Sequence, residues 1–290
     1  MAMRLTRTAV QPLIRLALRE DAASRDRTSR AVVPPAARIR ARIVAKASGV
    51  LAGGPLAAWT FHTVDPSLRC AVRRREGARL FRGATILTVE GRARSIFAAE
   101  RVALNFLGHL SGVATLTRAF VRRTRGTRAT IYDTRKALPG LRLLEKYAVR
   151  AGGGQNHRFD LGDAILIKTN HLRAVSRQAS AANPTIPTAV RHARRRAGKR
   201  LVEIEVTSPR EYRAALRARP DAILLDNWRP ADIRKAVALR VARRAPLLEA
   251  SGGVTLANVR DVAKTGVDRI AVGQLTHSAP ALDVSLEVVS

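Results

Sequence analysis

Residues 202–227, VEIEVTSPREYRAALRARPDAILLDN, decide the fold. A short apolar run, Val202–Val206, gives way to Thr207 and Ser208 and then to a stretch near 209–218 that reads as a helix. A second run, Ala222–Leu225, comes next and closes on Asp226 and Asn227. Short apolar strands joined by helical crossovers mean a parallel sheet buried on both faces. The same rhythm extends outward through Ala129–Tyr132, Ala164–Ile167, Leu247–Ala250 and Arg269–Val272. Helices are expected near 141–151, 187–198, 230–243 and 255–265. Six such units predict an α/β barrel of parallel strands, complete or short of eight. An open, doubly wound sheet is the alternative architecture.

The sequence before residue 125 has a different texture. Arg38-Ile39-Arg40-Ala41-Arg42-Ile43-Val44-Ala45 alternates with a period of two, which predicts a half-exposed strand. It leads to the glycine-bounded turn GVLAGG (49–54), and Leu68–Arg73 and Ala84–Val89 are further strand candidates. A long helix is expected over 96–123, with Phe106, Leu107, Leu110, Val113, Ala114 and Thr117 on one face and Gly108 and Gly112 beside it. The arginine-bearing start, MAMRLTRTAVQPLIRLALRE, has the composition of an organelle presequence. Its Val10, Leu13, Ile14 and Ala17 keep i, i+3, i+4, i+7 spacing, which favours an ordinary docked helix. The expected division is an N-terminal α+β sandwich-like domain over 1–112 and a barrel domain over 113–274. Residues 275–290 are expected to pack back on the first domain.

The residues just beyond each predicted strand carry the chemistry. The strand ends run into Asp133-Thr134-Arg135-Lys136, Lys168, Thr207-Ser208 just beyond Glu205, Asp226-Asn227, Ser251-Gly252-Gly253 and Gly273-Gln274. In α/β barrels these carboxyl ends converge on the active site. Cations there suit carboxylates and phosphates, arginine as a bidentate fork and lysine as a point charge. A loop such as SGGV, entering a helix at Thr255, offers backbone N–H groups to a phosphate. Glu205 and Asp226 suit Mg²⁺ or a developing cation. Taken singly, a strand-end acid is most often a helix cap or ion-pair partner, and a Gly-Gly turn is most often structural. Their recurrence at corresponding positions of successive units argues for a site.

The densest part of that pattern is 133–171, DTRKALPGLRLLEKYAVRAGGGQNHRFDLGDAILIKTNH. Asp133, Arg135, Lys136, His157, Arg158, Lys168 and His171 gather around Gly152-Gly153-Gly154, and a folding core has no use for most of those charges. The segment reads as a site for a multiply anionic ligand.

Composition limits the alternatives. Lys and Arg total 53 against 22 Asp and Glu, a net charge of +31. Such an excess raises nucleic-acid binding as a second hypothesis, with steeply salt-dependent affinity as its signature. Against it, the arginines are spread among alanines through every segment, Arg73-Arg74-Arg75, Arg194-Arg195-Arg196 and Arg243-Arg244 being short solvated runs. Aromatic residues make up 4%, too few for base-stacking platforms. No apolar run approaches the length of a membrane span. Cys70 is the single cysteine, expected as a buried small side chain, and it fits a reducing, cytoplasmic setting.

In its motifs the chain resembles the quinolinate phosphoribosyltransferase family. The resemblance runs from LALREDAASRDRTS (16–29) through GVLAG (49–53), ERVALNFLGHLSGVAT (100–115) and DTRKALPGLRLLEKYAVRAGGGQNHR (133–158). It continues through DAILIKTNH (163–171), VEIEV (202–206), ILLDN (223–227), EASGGV (249–254) and VGQLTHS (272–278). It implies an enzyme of NAD biosynthesis that joins quinolinate to phosphoribosyl pyrophosphate, with Mg²⁺, giving nicotinate mononucleotide, pyrophosphate and CO₂. It also implies that Arg101, Thr134, Arg135, His157 and Arg158 bind substrate, with Arg101 reaching the site of a neighbouring subunit in a homodimer or larger homo-oligomer. Lys136 and Lys168 would contact the substrates, Glu205 and Asp226 would serve the ribose and its metal, and Ser251, Gly252, Gly253 and Gly273 would hold the 5′-phosphate.

The sequence departs from the family's usual pattern in three places. Ala137 and Leu138 stand where two threonines usually come after the Arg-Lys pair, and Thr169 stands where an Asp usually comes after Lys168. Loss of a carboxylate beside a lysine bears on that lysine's orientation and charge. A related molybdenum-transport-associated branch shares the fold but lacks the full Asn-His-Arg and lysine constellation.

Overall fold

The computed structural model describes residues 5–176, 185–240 and 245–289. It divides into two compact units. One holds the residues up to Arg118, Lys136–Gly154 and those from Gln274 onward; the other holds Ala119–Arg135 and Gln155–Gly273.

In the first unit the predicted alternation becomes an antiparallel sheet. Its strands are β1 (Arg38–Ala45), β3 (Arg69–Val72), β5 (Thr85–Arg92) and β12 (Val284–Val289), in the order β12-β1-β5-β3. Two short strands, β2 (Gly49–Val50) and β4 (Arg79–Leu80), pair separately, β2 lying within the stretch expected to be a turn. Arg38, Arg40 and Arg42 point to solvent while Ala41 and Ile43 are fully buried, as a period of two requires. The helices Gly54–Val64 and Ala93–Arg123 lay Phe61, Ile96, Ala103 and Leu107 against that face. Phe61, Ile96 and Leu107 each contribute ~1.5–3 kcal/mol by leaving water. The first helix, Arg7–Glu20, buries Val10, Ile14 and Leu18; Leu13 and Ala17 are only half-buried, so the docked stripe is rotated from the expected one. Cys70 is half-buried at the margin of this core, and burial pushes its thiol up to about 11.

The second unit carries the parallel sheet. Its strands are β6 (Thr130–Tyr132), β7 (Ile165–Ile167), β8 (Val202–Val206), β9 (Ala222–Asp226), β10 (Leu247–Ser251) and β11 (Arg269–Ala271). The order is β6-β11-β10-β9-β8-β7, every neighbouring pair parallel. The first strand bonds the last, and the order otherwise runs without reversal. This is a barrel opened between its first and second strands, and it excludes the doubly wound alternative, which needs a switch point.

Local chemistry explains the crossovers. Ser208 caps the helix Pro209–Ala218 through the Glu211 amide at 3.3 Å, with Pro209 at its first position. The Glu211 carboxylate reaches back to the Thr207 N–H at 2.7 Å, so both ends of the turn are satisfied. Three helices depart from expectation. Thr169–Ser176 is helical, a stretch for which no helix was expected. The helix expected over 230–243 ends at Ala238, and its positions 241–243 lie outside the described residues. The helix expected from Thr255 begins only at Val259, because Asn258 accepts the Thr255 N–H at 2.8 Å and donates to the Gly253 carbonyl at 2.9 Å, fixing a turn. The SGG amides therefore belong to that turn and not to a helix N-terminus. Among the described residues no helix is long and apolar enough to cross a membrane.

Candidate active site

The open edge of β6 begins the site. Gln155 pairs with Tyr132 there, and its N–H donates to the Ile131 carbonyl at 2.8 Å. Asp133, wholly buried, then fixes the next two residues. Its carboxylate accepts from the Asn156 side chain at 2.7 Å and from the His157 N–H at 2.8 Å. The chain is thus led along the seam of the barrel so that His157 and Arg158 face its interior.

His157 meets two buried acids. Its Nε2 lies 3.1 Å from Glu203 Oε2 and 3.3 Å from Glu249 Oε1, with both glutamates at most 1% exposed. Burial alone would lower the imidazole's pKa, but the hydrogen bond to Glu203, the close approach of Glu249 and the charges of both outweigh it and lift it to about 10. The Arg158 N–H faces Nδ1 at 2.8 Å and works against a second proton, yet one amide dipole is weaker than two carboxylates. The Glu249 carboxyl is itself raised, first by burial and then by the neighbouring Glu203 charge. Arg158 is held below the usual guanidinium range by burial and by the Arg135 charge. The buried Nε of Arg135 has no hydrogen-bond partner among the described residues. Across the β6–β11 pairing the Arg269 guanidinium stacks 5.0 Å from the centroid of Tyr132. A cleft of about 730 Å³ opens among Tyr132, Asn156, His157, Arg158, Asp163, Arg200, Glu203 and Arg269.

A second cluster occupies the strand ends. Lys168 Nζ stands 3.6 Å from Glu205 Oε2, and the Thr169 N–H donates to Glu205 Oε1 at 3.2 Å. Backbone register sets Asp226, Ser251, Ala271 and Tyr132 on one rung across β9, β10, β11 and β6. The Asn227 N–H donates to the Ser251 carbonyl at 2.8 Å, and its side chain donates to Asp226 at 2.9 Å. Gly252 comes next at φ +89°, and a methyl there would collide with the Asn227 side-chain amide. Only glycine fits that contact and that backbone. Carboxylate oxygens from Glu205 and Asp226, with further oxygens from a phosphate substrate, make a donor set that fits Mg²⁺.

The predicted site residues divide between the two units. Arg135, His157, Arg158, Lys168, Glu205, Asp226, Ser251, Gly252, Gly253 and Gly273 all belong to the second. Arg101 and Lys136 belong to the first, and both are exposed. Lys136 is anchored through its carbonyl, which accepts the Thr276 hydroxyl at 2.5 Å. Thr134 is half-buried beside Arg135. The Gly152–Gly154 triplet is explained by packing. Methyls at Gly152 and Gly154 would lie 2.6 Å from the Ala114 carbonyl oxygen and 2.8 Å from Thr117 Cγ2, and Gly153 caps the helix Arg142–Gly152 at φ +96°. The triplet serves the first unit's helix pairing, and the contacts to Asp133 and the buried acids begin at Asn156.

Sequence reasoning missed Glu203 and Glu249. The signal was present as a period of two: Glu203 shares a strand face with Glu205, and Glu249 shares one with Ser251. An acid inside a strand that is buried on both faces has no role in an apolar core.

What the fold and site define is a parallel α/β barrel with a site for anionic groups, and comparison with known proteins gives its family. Residues 26–111 match the N-terminal domain of quinolinate phosphoribosyl transferase, and 113–287 match its C-terminal domain. Over 285 residues the chain is 44% identical to the nicotinate-nucleotide pyrophosphorylase [carboxylating] of Mycobacterium leprae, spanning 97% of both chains. It is 40% identical over 270 residues to the probable enzyme of that name from Bacillus subtilis, spanning 93% of this chain and 90% of the relative. The solved structure of the nicotinate-nucleotide pyrophosphorylase from Francisella tularensis superposes with a TM-score of 0.91 at 36% identity, over 100% of this chain and 99% of that one. The chain belongs to the quinolinate phosphoribosyltransferase family.

Proposed function

We propose that the protein transfers the phosphoribosyl group of phosphoribosyl pyrophosphate to the ring nitrogen of quinolinate and releases pyrophosphate and CO₂, giving nicotinate mononucleotide for NAD synthesis. The observation that carries this is the inward face of the parallel sheet. Arginines and an imidazole line its seam, and carboxylates with a lysine stand at its strand ends. Two adjacent carboxylates on one planar ring match the first group, and a polyphosphorylated sugar matches the second.

Arg135, His157 and Arg158 bind the quinolinate carboxylates and hold the ring nitrogen toward the ribose. As the bond from C1 to the pyrophosphate oxygen breaks, positive charge develops on the sugar, and Glu205 and Asp226 stabilise it from fixed positions. Lys136 and Lys168 offset the charge of the departing pyrophosphate. Thr134 supports the dicarboxylate end, while Ser251, Gly252, Gly253 and Gly273 receive the 5′-phosphate through the turn that Asn258 fixes. Once the nitrogen is quaternary, the electron pair of the adjacent ring–carboxylate bond flows into the ring, CO₂ leaves and the ring carbon takes up a proton. Mg²⁺ held by Glu205 and Asp226 would supply further charge neutralisation for the phosphates. Arg101, exposed on the helix Ala93–Arg123, reaches the site of a second copy in a homo-oligomer. A single, half-buried cysteine supports a cytoplasmic setting.

The test is an assay of the purified protein with phosphoribosyl pyrophosphate, Mg²⁺ and either quinolinate or nicotinate. Quinolinate should release pyrophosphate and CO₂ in equal amounts. Turnover of nicotinate alone would redirect the reading to a different substrate.

A further inference from the structure

Glu203 and Glu249 are two acids buried side by side in strands that should need only apolar side chains. Burying one carboxylate is costly, and burying two together more so, unless a cation answers them. The side chain that meets them is His157. One Nε2 faces both carboxylates, at 3.1 and 3.3 Å, and the ring's other nitrogen is tied to the Arg158 amide. The ring therefore has a fixed plane and a fixed proton at Nε2. The acids have little other employment. Among the described residues Glu203 Oε1 takes no hydrogen bond, and Glu249 takes none of good geometry, its Oε1 lying 3.3 Å from Nε2.

We propose that Glu249 and Glu203 are positioning residues that clamp His157, fixing the plane of its ring and the proton at Nε2 for its work beside the quinolinate carboxylates. The inference rests on the reading of His157 as a carboxylate-binding group. Glu249 faces the ring's Nε2 and touches no substrate atom in this scheme; it acts through His157. The other reading of a His-Glu-Glu cluster, with ligand atoms all within 4.8 Å, is a divalent ion. The surroundings oppose it, because the Arg158 guanidinium bears on Glu203 and that of Arg269 on Glu249. The two acids already face the Nε2 proton and two guanidiniums, without an added dication.

The experiment compares Glu249→Gln, Glu203→Gln, His157→Asn and the double variant Glu249→Gln/His157→Asn, measuring kcat and both KM values in the full-length enzyme. Loss of one charge-assisted clamp should raise KM for quinolinate by about tenfold and leave KM for phosphoribosyl pyrophosphate within about twofold. The double variant should be no worse than His157→Asn alone, since both changes remove one interaction. Effects that multiply in the double variant, or equal rises in both KM values, would overturn the proposal. So would a stoichiometric transition metal in the purified wild type that Glu249→Gln releases. If Glu249→Gln does not fold, Glu203→Gln carries the same cycle. An unchanged quinolinate KM in His157→Asn would instead sink the reading of His157 itself, which separates the two failures.

Discussion

Lys168 Nζ stands 3.6 Å from Glu205 Oε2, and the amide of the next residue, Thr169, holds the other oxygen of the same carboxylate. The carboxylate is therefore oriented whether or not an acidic side chain comes after Lys168. A backbone N–H supplies from Thr169 a contact that does not depend on its side chain, which limits what the departure from the family's usual Asp costs. Glu205→Gln should keep the amide contact and lose the charge. We expect kcat to fall by about 10²-fold with quinolinate KM little changed, the scale seen for a lost electrostatic stabiliser. Steady-state kinetics at saturating phosphoribosyl pyrophosphate read this directly, and an unchanged kcat would remove Glu205 from the reaction centre.

Arg135 presents a buried Nε with no hydrogen-bond partner among the described residues, a fork ready for a carboxylate. Arg135→Ala should raise quinolinate KM by at least about tenfold, as expected for loss of a bidentate charged contact. Arg135→Lys should recover only part of it. Should quinolinate KM stay at the wild-type value, the role assigned to Arg135 is wrong.

His157 links the site to pH. Its pKa rises from 6.5 to about 10 in the fold, so its contribution to stability is fully present below pH 6.5 and is lost as pH rises toward 10. Melting temperature should therefore decline across that window, by roughly 2–4 °C for each kcal/mol lost. His157→Gln should flatten the decline. Thermal melts of both proteins at closely spaced pH values test this, and identical slopes would place the imidazole outside the titration.

Gly252 is confined by its backbone angle and by Asn227 together. Gly252→Ala must displace Asn227, whose side chain also holds Asp226. A cost of about 1–3 kcal/mol is expected for forcing a side chain into that conformation. KM for phosphoribosyl pyrophosphate should rise while quinolinate KM holds. Equal effects on both substrates would show the loop to be a general scaffold.

The barrel was legible because Val202–Val206 and Ala222–Asp226 are short apolar runs at a spacing only a crossover helix fills. Its opening between β6 and β7 was not, since nothing local in Thr130–Tyr132 says that its partner is Arg269–Ala271. Strand-end chemistry could be read by position: Lys168, Glu205 and Asp226 lie at or just past the ends of apolar runs. Glu203 and Glu249 escaped because each lies inside its run, where an acid looks like noise until the alternate-face rule is applied. The glycine triplet misled for the opposite reason. Gly152 and Gly154 are demanded by Ala114 and Thr117, more than thirty residues earlier in the chain, and nothing in the sequence near them reveals that contact.

The strand order has a consequence for biogenesis. Arg128 and Asp268 bracket the β6–β11 pairing from 140 positions apart, and Arg42 meets Glu287 across β1 and β12 from 245. Each of the two larger sheets is thus finished by a strand made late in translation. While the ribosome works, β1 and β6 wait with an unpaired edge, a condition that invites association with other nascent chains. Closure of such distant pairs is slow, because the loop entropy is lost before the contact is gained. The enzyme's yield in a cell should accordingly depend on chaperone capacity more than on the stability of the finished fold.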